Sequence, residues 1–168
     1  SSDGKTGPAI PVPEARELRK YTFMYALYPH RGDWREAESF RHAYEFNYEL
    51  VASQMQDNEE DEGISASSLP NAFSFLKIEP ASVILTALKR AEDESDAVVL
   101  RFYEAKGETT KAKITLFKAP REVKEVNLLE EEEEKCEEAA KRRNLSVNGN
   151  KIELEVKPFE IVTLKMWF

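Results

Sequence analysis

Short segments in which apolar and polar residues alternate dominate the chain from residue 73 onwards. In one of them, Ile152, Leu154 and Val156 alternate with Glu153 and Glu155. The same alternation occurs at Phe73 and Phe75; Val98, Leu100 and Phe102; Ala112, Ile114 and Leu116; and Val162, Leu164 and Met166. Because successive side chains of a β-strand point to opposite faces, this pattern is typical of strands with one buried face and one solvent-exposed face.

Turn-forming residues separate these segments, at positions 93–96, 106–107 and 148–150. With further strands expected near residues 83–89 and 122–128, the count reaches about seven, as in an antiparallel β-sandwich. The fold is therefore predicted to be mainly β. Polar residues between the apolar ones, such as Thr163 and Lys165, are expected to face solvent.

One helix is predicted within the sandwich, at residues 130–143. Acidic residues fill its beginning and Lys141, Arg142 and Arg143 its end, a distribution that complements a helix dipole. The pairs Glu131–Lys135, Glu137–Lys141 and Glu138–Arg142 also have the favourable i,i+4 spacing. We interpret this segment as an exposed insertion helix, since runs of charge are more often solvated faces than cation sites.

A different pattern precedes the sandwich. Residues 21–28 are aromatic and alternate like a strand, and an amphipathic helix is predicted from residue 34 to about residue 51. Asp33 is placed as its N-cap, with Glu36 as capping-box partner. The apolar stripe of this helix consists of Ala37, Phe40, Tyr44, Tyr48 and Val51. One strand and one helix cannot bury each other fully, so this segment is expected to belong to a larger β domain.

Three regions follow from these patterns. Residues 1–20 are predicted to form a linker or surface arm, since the stretch contains several prolines and no periodicity. Residues 21–63 hold the strand, the helix and an acidic, apolar-poor connection, which marks a boundary. Residues 64–168 form the sandwich.

Charge and cysteine content limit the partners and the compartment. The net charge of −8 argues against nucleic acid or an anionic membrane as main partner. No apolar run approaches the length of a membrane span. The single cysteine, Cys136, excludes an internal disulfide and fits a reducing compartment, so a cytoplasmic location is expected. Assembly into a homo-oligomer is left open.

The sequence offers no set of residues for catalysis or metal binding. Protein zinc sites need three or four ligands, and the chain has only His30, His42 and Cys136 as nitrogen and sulfur donors. Carboxylates are abundant, yet none was found in an apolar setting that would raise its pKa. We therefore assign no catalytic residue and no metal ligand, and we expect no cofactor in this chain.

The cluster at residues 30–35 is the one candidate binding site. In a functional interpretation, His30, Arg31, Asp33 and Trp34 form a polar and aromatic wall that contacts a sugar, whose hydroxyls need partners and whose C–H face is apolar. In a structural interpretation, which is the more common outcome for such a turn, Asp33 caps the helix and Trp34 packs.

Four stretches resemble, in order, the C-terminal part of family 38 glycoside hydrolases, the α-mannosidases. They are YALYPHRGDWREA at residues 25–37, VILTALKRAED at 83–93 continuing into VVLRFYE at 98–104, EVNLLE at 125–130 and VKPFEIVTL at 156–164. Together they extend from residue 21 to the C-terminus.

The resemblance implies a non-catalytic C-terminal portion of a retaining α-mannosidase. The family's aspartate nucleophile and its zinc ion belong to an N-terminal catalytic domain, so no such residue is carried over to this chain. The implied partners are the catalytic part of the same enzyme and, through it, an α-mannoside glycan; the chain alone is expected to be inactive. The alternative is a stand-alone β-sandwich module that binds carbohydrate or protein.

Overall fold

Two four-stranded antiparallel sheets pack face to face in the computed structural model, which describes residues 19–53, 70–93, 96–132 and 134–168. The elements are α1 (Ser39–Asn47), β1 (Leu76–Glu79), β2 (Val83–Arg90), β3 (Ala97–Glu104), β4 (Thr110–Leu116), β5 (Glu122–Val126), α2 (Glu134–Arg142), β6 (Ser146–Asn148), β7 (Lys151–Val156) and β8 (Ile161–Trp167). Sheet A has the order β1-β4-β7-β6, and sheet B has the order β2-β3-β8-β5. The predicted β-sandwich is confirmed.

The apolar faces of the alternating strands form the core between the two sheets. The buried cluster contains Leu100 and Phe102 of β3; Ala112, Ile114 and Leu116 of β4; Ile152, Leu154 and Val156 of β7; and Val162, Leu164 and Met166 of β8. These residues are the ones whose period of two predicted inward-facing positions. The alternation therefore identified the core correctly on four strands.

The structure has eight strands within the described residues rather than about seven. The additional strand is β6, which has only three residues and pairs with β7 through a tight turn at Gly149. Gly149 adopts a positive φ of 59°, a conformation that glycine reaches without steric cost. The turn was predicted, but so short a strand has no alternation to detect. Phe73 and Phe75, by contrast, precede β1 instead of lying in a strand.

The expectation that Thr163 and Lys165 face solvent is wrong. Their exposed fractions are 3% and 4%, although they lie on the outer face of sheet B. Thr163 accepts a hydrogen bond from Arg101 Nε at 3.0 Å, and the ammonium of Lys165 pairs with Asp93. The chain's own loops thus cover this part of the outer face, and the polar groups beneath them are satisfied by partners.

The predicted strand at residues 21–28 is absent. No strand of the described residues pairs with this segment, and a strand without a hydrogen-bonding neighbour has no ladder to hold it. The side chains of Phe23, Tyr25 and Leu27 are exposed by 82%, 84% and 87%. We refer to these three residues as the exposed apolar row.

Both predicted helices exist, and both are shorter than expected. The helix α1 begins at Ser39 because Glu38 is left-handed, with a φ of 50°, so residues 34–38 form turns instead. The insertion helix α2 lies between β5 and β6, with Arg142 3.7 Å from Glu138 as predicted. Neither helix combines the length and the apolar character that a membrane-crossing helix requires. The linker and the acidic boundary fall mostly outside the described residues, so the three-region division stays a prediction.

Candidate functional site: the junction between the N-terminal segment and the sandwich

Asp33 organises the turn that precedes α1. Its Oδ1 atom accepts hydrogen bonds from the backbone N–H groups of Arg35 at 2.8 Å and Glu36 at 3.0 Å. These bonds, the one from Glu36 foremost, hold the pKa of the Asp33 carboxyl below its usual value of 3.8. Asp33 therefore makes the bonds of an N-cap as predicted, but it caps the turn at residues 34–38 rather than α1 itself.

Trp34 has neighbours on its face and at its edge. The Arg35 guanidinium lies over the indole at 4.4 Å from the ring centroid, and the ring of Phe40 meets it edge-on at 6.3 Å. A sugar stacked on this indole could use only the face that Arg35 leaves open.

His30 and Arg31 are exposed and precede this turn. The His30 ring is 5.6 Å from the ring of Tyr28, which is in turn 4.3 Å from that of His42. The Tyr28 hydroxyl donates to the carbonyl of Ala37 at 3.3 Å. The two histidines of the chain thus flank one tyrosine.

In the described residues, no recorded contact joins two of the four predicted site side chains. Asp33 forms hydrogen bonds with backbone groups and with Arg35. Trp34 contacts Arg35 and Phe40, and the His30 ring contacts the Tyr28 ring. The four residues share one short turn without converging on a common point. Their role in substrate binding stays a prediction.

The turn is fixed to the sandwich by Arg35, which the sequence did not single out. Its Nε atom donates to the carbonyl of Lys106 at 2.8 Å, and the Lys106 ammonium lies 3.4 Å from Glu38 Oε1. A third contact joins the hydroxyls of Tyr44 and Tyr103 at 3.5 Å. These three contacts are called the junction below. They fix α1 and its turn against one end of the sandwich.

Glu104 holds the β3–β4 turn on which the junction is built. Its carboxylate is fully buried. The carboxylate accepts backbone N–H bonds from Lys106 at 2.8 Å, Gly107 at 2.6 Å and Glu108 at 3.1 Å, and one from Phe159 at 3.3 Å. Four converging donors satisfy a buried charge that would otherwise be strongly unfavourable.

The sequence carries a signal for the burial of Glu104 in the phase of β3. Glu104 lies two residues after Phe102 and four after Leu100, so it is in phase with the buried face of β3. A charged residue at an inward position at the end of a strand predicts a buried carboxylate with dedicated donors. Because backbone groups surround both oxygens, Glu104 cannot contact a substrate, and its role is to position the turn.

The β3–β4 and β7–β8 turns also pack against each other. Gly107 has a φ of 78°, and a Cβ atom built on it would lie 2.5 Å from the Phe159 ring. Phe159 is itself left-handed, with a φ of 56°. The two turns therefore fit together only because residue 107 is glycine.

The described residues contain no group of three His, Cys, Asp or Glu side chains that could hold a metal ion. The zinc ion that the resemblance implies for the parent enzymes therefore has no fitting ligand set here. The charged groups described in this subsection form ion pairs or hydrogen bonds within the chain. Such an arrangement can orient a segment and support an interface.

Comparison with known proteins identifies the sandwich. Residues 82–164 match the family described as the glycosyl hydrolases family 38 C-terminal beta sandwich domain. The chain is similar to alpha-mannosidase 2C1 of Mus musculus, with 27% identity over 88% of this chain and 13% of that protein. It is similar to the human alpha-mannosidase 2C1, with 26% identity over 86% of the chain and 13% of that protein.

A third relative is the alpha-mannosidase of Saccharomyces cerevisiae, with 27% identity over 94% of the chain and 15% of that protein. The chain thus spans only a small part of the length of the curated relatives it matches. The matched region contains β2 to β7 and the first part of β8, and β1 lies just before it. Over residues 82–164 the sandwich of this chain thus matches the C-terminal β-sandwich domain of glycosyl hydrolase family 38.

Proposed function

We propose that the chain is the non-catalytic C-terminal portion of an α-mannosidase, in which it packs against the catalytic part and stabilises it. The observation that carries the proposal is that the relatives align with most of this chain, while the chain aligns with only a small part of each relative. Alpha-mannosidases of mouse, human and yeast align with 86–94% of this chain, which accounts for only 13–15% of their length. In this proposal the retaining, zinc-dependent hydrolysis of α-mannosides takes place in residues outside the chain.

The exposed apolar row supports the same proposal. Phe23, Tyr25 and Leu27 alternate along the segment and lie almost entirely in solvent. Burying a large apolar side chain contributes about 1.5–3 kcal/mol, so three of them represent a substantial unused interaction. Exposed apolar rows of this kind are characteristic of surfaces that a partner covers. A sheet of the preceding domain would supply both the hydrogen bonds and the apolar contacts.

The alternative of a stand-alone carbohydrate-binding module gains no support from the exposed aromatic residues of the sandwich. Phe73, Phe75 and Phe117 are exposed neighbours, but their rings meet edge to face, at interplanar angles of 86° and 76°. A pyranose ring stacks on a flat aromatic face. These rings do not present one common plane, so they suit packing against each other or against protein.

The test compares the gene product with the 168-residue chain. We expect the gene to produce a polypeptide several times heavier than 19.3 kDa that hydrolyses an aryl α-mannoside in the presence of zinc. The 168-residue chain, purified and assayed in parallel with the same zinc concentration, is expected to show no turnover. A native product near 19.3 kDa, or zinc-stimulated hydrolysis that copurifies with the short chain, would overturn the proposal.

A further inference from the structure

The outer faces of the two sheets differ in chemistry. On sheet A, the outward positions of β4 and β7 form rows of opposite charge in which Lys111 faces Glu155 and Lys113 faces Glu153. Lys111 also makes an ion pair with Glu153. Such a ladder of complementary charges is typical of a solvent-exposed sheet face.

Sheet B has an outer face of another kind. Its β3 and β8 strands place Tyr103 beside Ile161, Arg101 beside Thr163 and Val99 beside Lys165. Val99, Thr163 and Lys165 are buried, although they lie outside the core. The loop after β5 covers part of this face, and Arg101 donates to the carbonyl of Leu128 at 2.8 Å.

The end of this face nearest α1 remains uncovered. Ile161 is 54% exposed, and its neighbour Tyr103 reaches α1 through the hydroxyl of Tyr44. Tyr44 stacks on the exposed Tyr48 at 5.7 Å. On the other side, Leu128 and Leu129 are exposed on the loop that Arg101 holds.

We propose that these residues form the surface by which the sandwich docks onto the preceding part of the same polypeptide. The docking face is defined by Tyr48, Tyr103, Leu128, Leu129 and Ile161. The proposal rests on the proposed function, because the occupant is the part of an α-mannosidase that lies outside this chain. It goes further by selecting one of the two sheets and one end of that sheet.

Two observations select this occupant. First, Tyr103 contacts α1 through Tyr44, and α1 contacts Tyr28 at the end of the segment that carries the exposed apolar row, so one partner can cover both. Second, the relatives devote more than four fifths of their length to residues outside the aligned region, since the chain accounts for 13–15% of each. A polypeptide of that size supplies the area that a stable intramolecular interface needs.

Two polar side chains, Tyr103 in the docking face and Arg101 beside it, have partners within the chain, which favours a largely apolar contact. Arg101 binds Thr163 and Leu128, and the Tyr103 hydroxyl has Tyr44 as partner. Burial of such a face leaves few polar groups to desolvate without compensation. The partner therefore does not need complementary charges, but it does need an apolar surface of complementary shape.

The experiment uses the full-length polypeptide with two substitutions of the same kind. Ile161→Arg places a charge on the docking face. Ser146→Arg is the control, since Ser146 is an exposed residue of β6 that lies on the outer face of sheet A, beside Glu153. If the docking face is covered, Ile161→Arg buries an unpaired charge and lowers the melting temperature by about 5 °C or more. Ser146→Arg is expected to lower it by less than about 2 °C. Val147 of the same strand, 45% exposed against 54% for Ile161, is the reference residue for chemical footprinting.

Hydroxyl-radical footprinting of the unsubstituted full-length polypeptide provides the second readout. Ile161 and Leu129 are expected to be modified at least severalfold more slowly, relative to their intrinsic reactivities, than Val147. Equal modification of Ile161 and Val147, together with equal melting temperatures of the two variants, would overturn the docking face. Protection that disappears on dilution would also overturn it, because the occupant would then be a second copy of the polypeptide.

The two proposals fail in distinguishable ways. A gene product near the size of this chain removes the proposed function and the intramolecular occupant together. A long, zinc-dependent mannosidase whose Ile161 remains as reactive as Val147 retains the proposed function and rejects only the docking face.

Discussion

Truncation of Glu104 is the sharpest test of how the sandwich holds its N-terminal segment. The carboxylate is fully buried, and two of its four backbone bonds are short, at 2.6 and 2.8 Å. Hydrogen bonds to a charged acceptor contribute about 1.5–3 kcal/mol each. The two longer bonds count for less, because water can reach the exposed residues that donate them. Counting the two short bonds, Glu104→Ala should lower the free energy of unfolding by about 3–6 kcal/mol.

Glu104→Gln separates the charge from the shape of the side chain. The amide oxygen can still accept from the donors on one side, but the amide nitrogen then faces another backbone N–H and cannot accept. We expect a loss of about 1.5–3 kcal/mol, between the parent and the alanine variant. Glu108→Ala, in the same turn but with an exposed side chain, is the control and should change stability by less than about 0.5 kcal/mol.

The assay is urea unfolding of the full chain in a Trp34→Phe background, so that the fluorescence of Trp167 reports on the sandwich alone. The expected order of stability is parent, Glu108→Ala, Glu104→Gln and Glu104→Ala. A Glu104→Ala variant within about 1 kcal/mol of the parent would refute the reasoning, because the buried donors would then be satisfied without the carboxylate.

Two further predictions concern titratable groups. Arg143 bridges the largely buried carboxylates of Glu125 and Glu160, so Arg143→Met should cost about 3–5 kcal/mol in urea unfolding. Burial opposes ionisation of Glu160, but hydrogen bonds from the Arg143 guanidinium and a backbone N–H prevail and lower its pKa below the usual 4.5. The stability that the ionised Glu160 contributes is therefore complete above pH 4.5, and it is lost as the pH falls through the lower pKa of the folded state. As the pH falls from 4.5 through that pKa, the urea midpoint of Arg143→Met should decrease less than that of the parent. Burial and the hydrogen bond with Tyr44 raise the pKa of Tyr103 to about 12, so its contribution is lost only as the pH rises from 10 through 12. An ultraviolet absorbance titration should show this late component move to lower pH in Tyr44→Phe; an unchanged titration would contradict the contact.

Local patterns predicted the core, and they also contained the information for its buried carboxylate. Ile152, Leu154 and Val156 follow a period of two, which is a property of the strand itself and needs no partner to be read. Glu104 continues the same period on β3 after Phe102. The phase of the strand therefore indicates its burial, whereas the hydrophobicity of the residue does not.

The segment at residues 21–28 shows where local patterns stop being sufficient. Its aromatic alternation is a preference for a pleated, half-buried surface. A strand forms only where a second strand supplies hydrogen bonds, and the described residues supply none to this segment. The same pattern therefore predicted β3, β4, β7 and β8 correctly, and it predicted strands incorrectly at residues 21–28 and at residues 73–75.

The candidate site divides in the same way. The capping bonds of Asp33 reach two and three residues along the chain, and the sequence predicted them. The bond from Arg35 to Lys106 joins residues 71 positions apart. No spacing rule indicates such a contact, because it depends on the relative placement of the turn and the sandwich.

The junction and the exposed apolar row together suggest an order of events in the longer polypeptide that we propose. The junction consists of a few polar contacts, each of which contributes about 1 kcal/mol net. The free energy of these contacts is sufficient to orient α1 and its turn. It is small compared with the free energy that burial of the exposed apolar row would release. A pre-oriented segment loses less conformational entropy when its partner arrives. The β3–β4 turn that Glu104 holds therefore acts before docking, because it keeps the exposed apolar row in one orientation. The row acts during docking, because it supplies the apolar contact. Substitutions in the turn should slow or misdirect assembly, whereas substitutions in the row should weaken the assembled state.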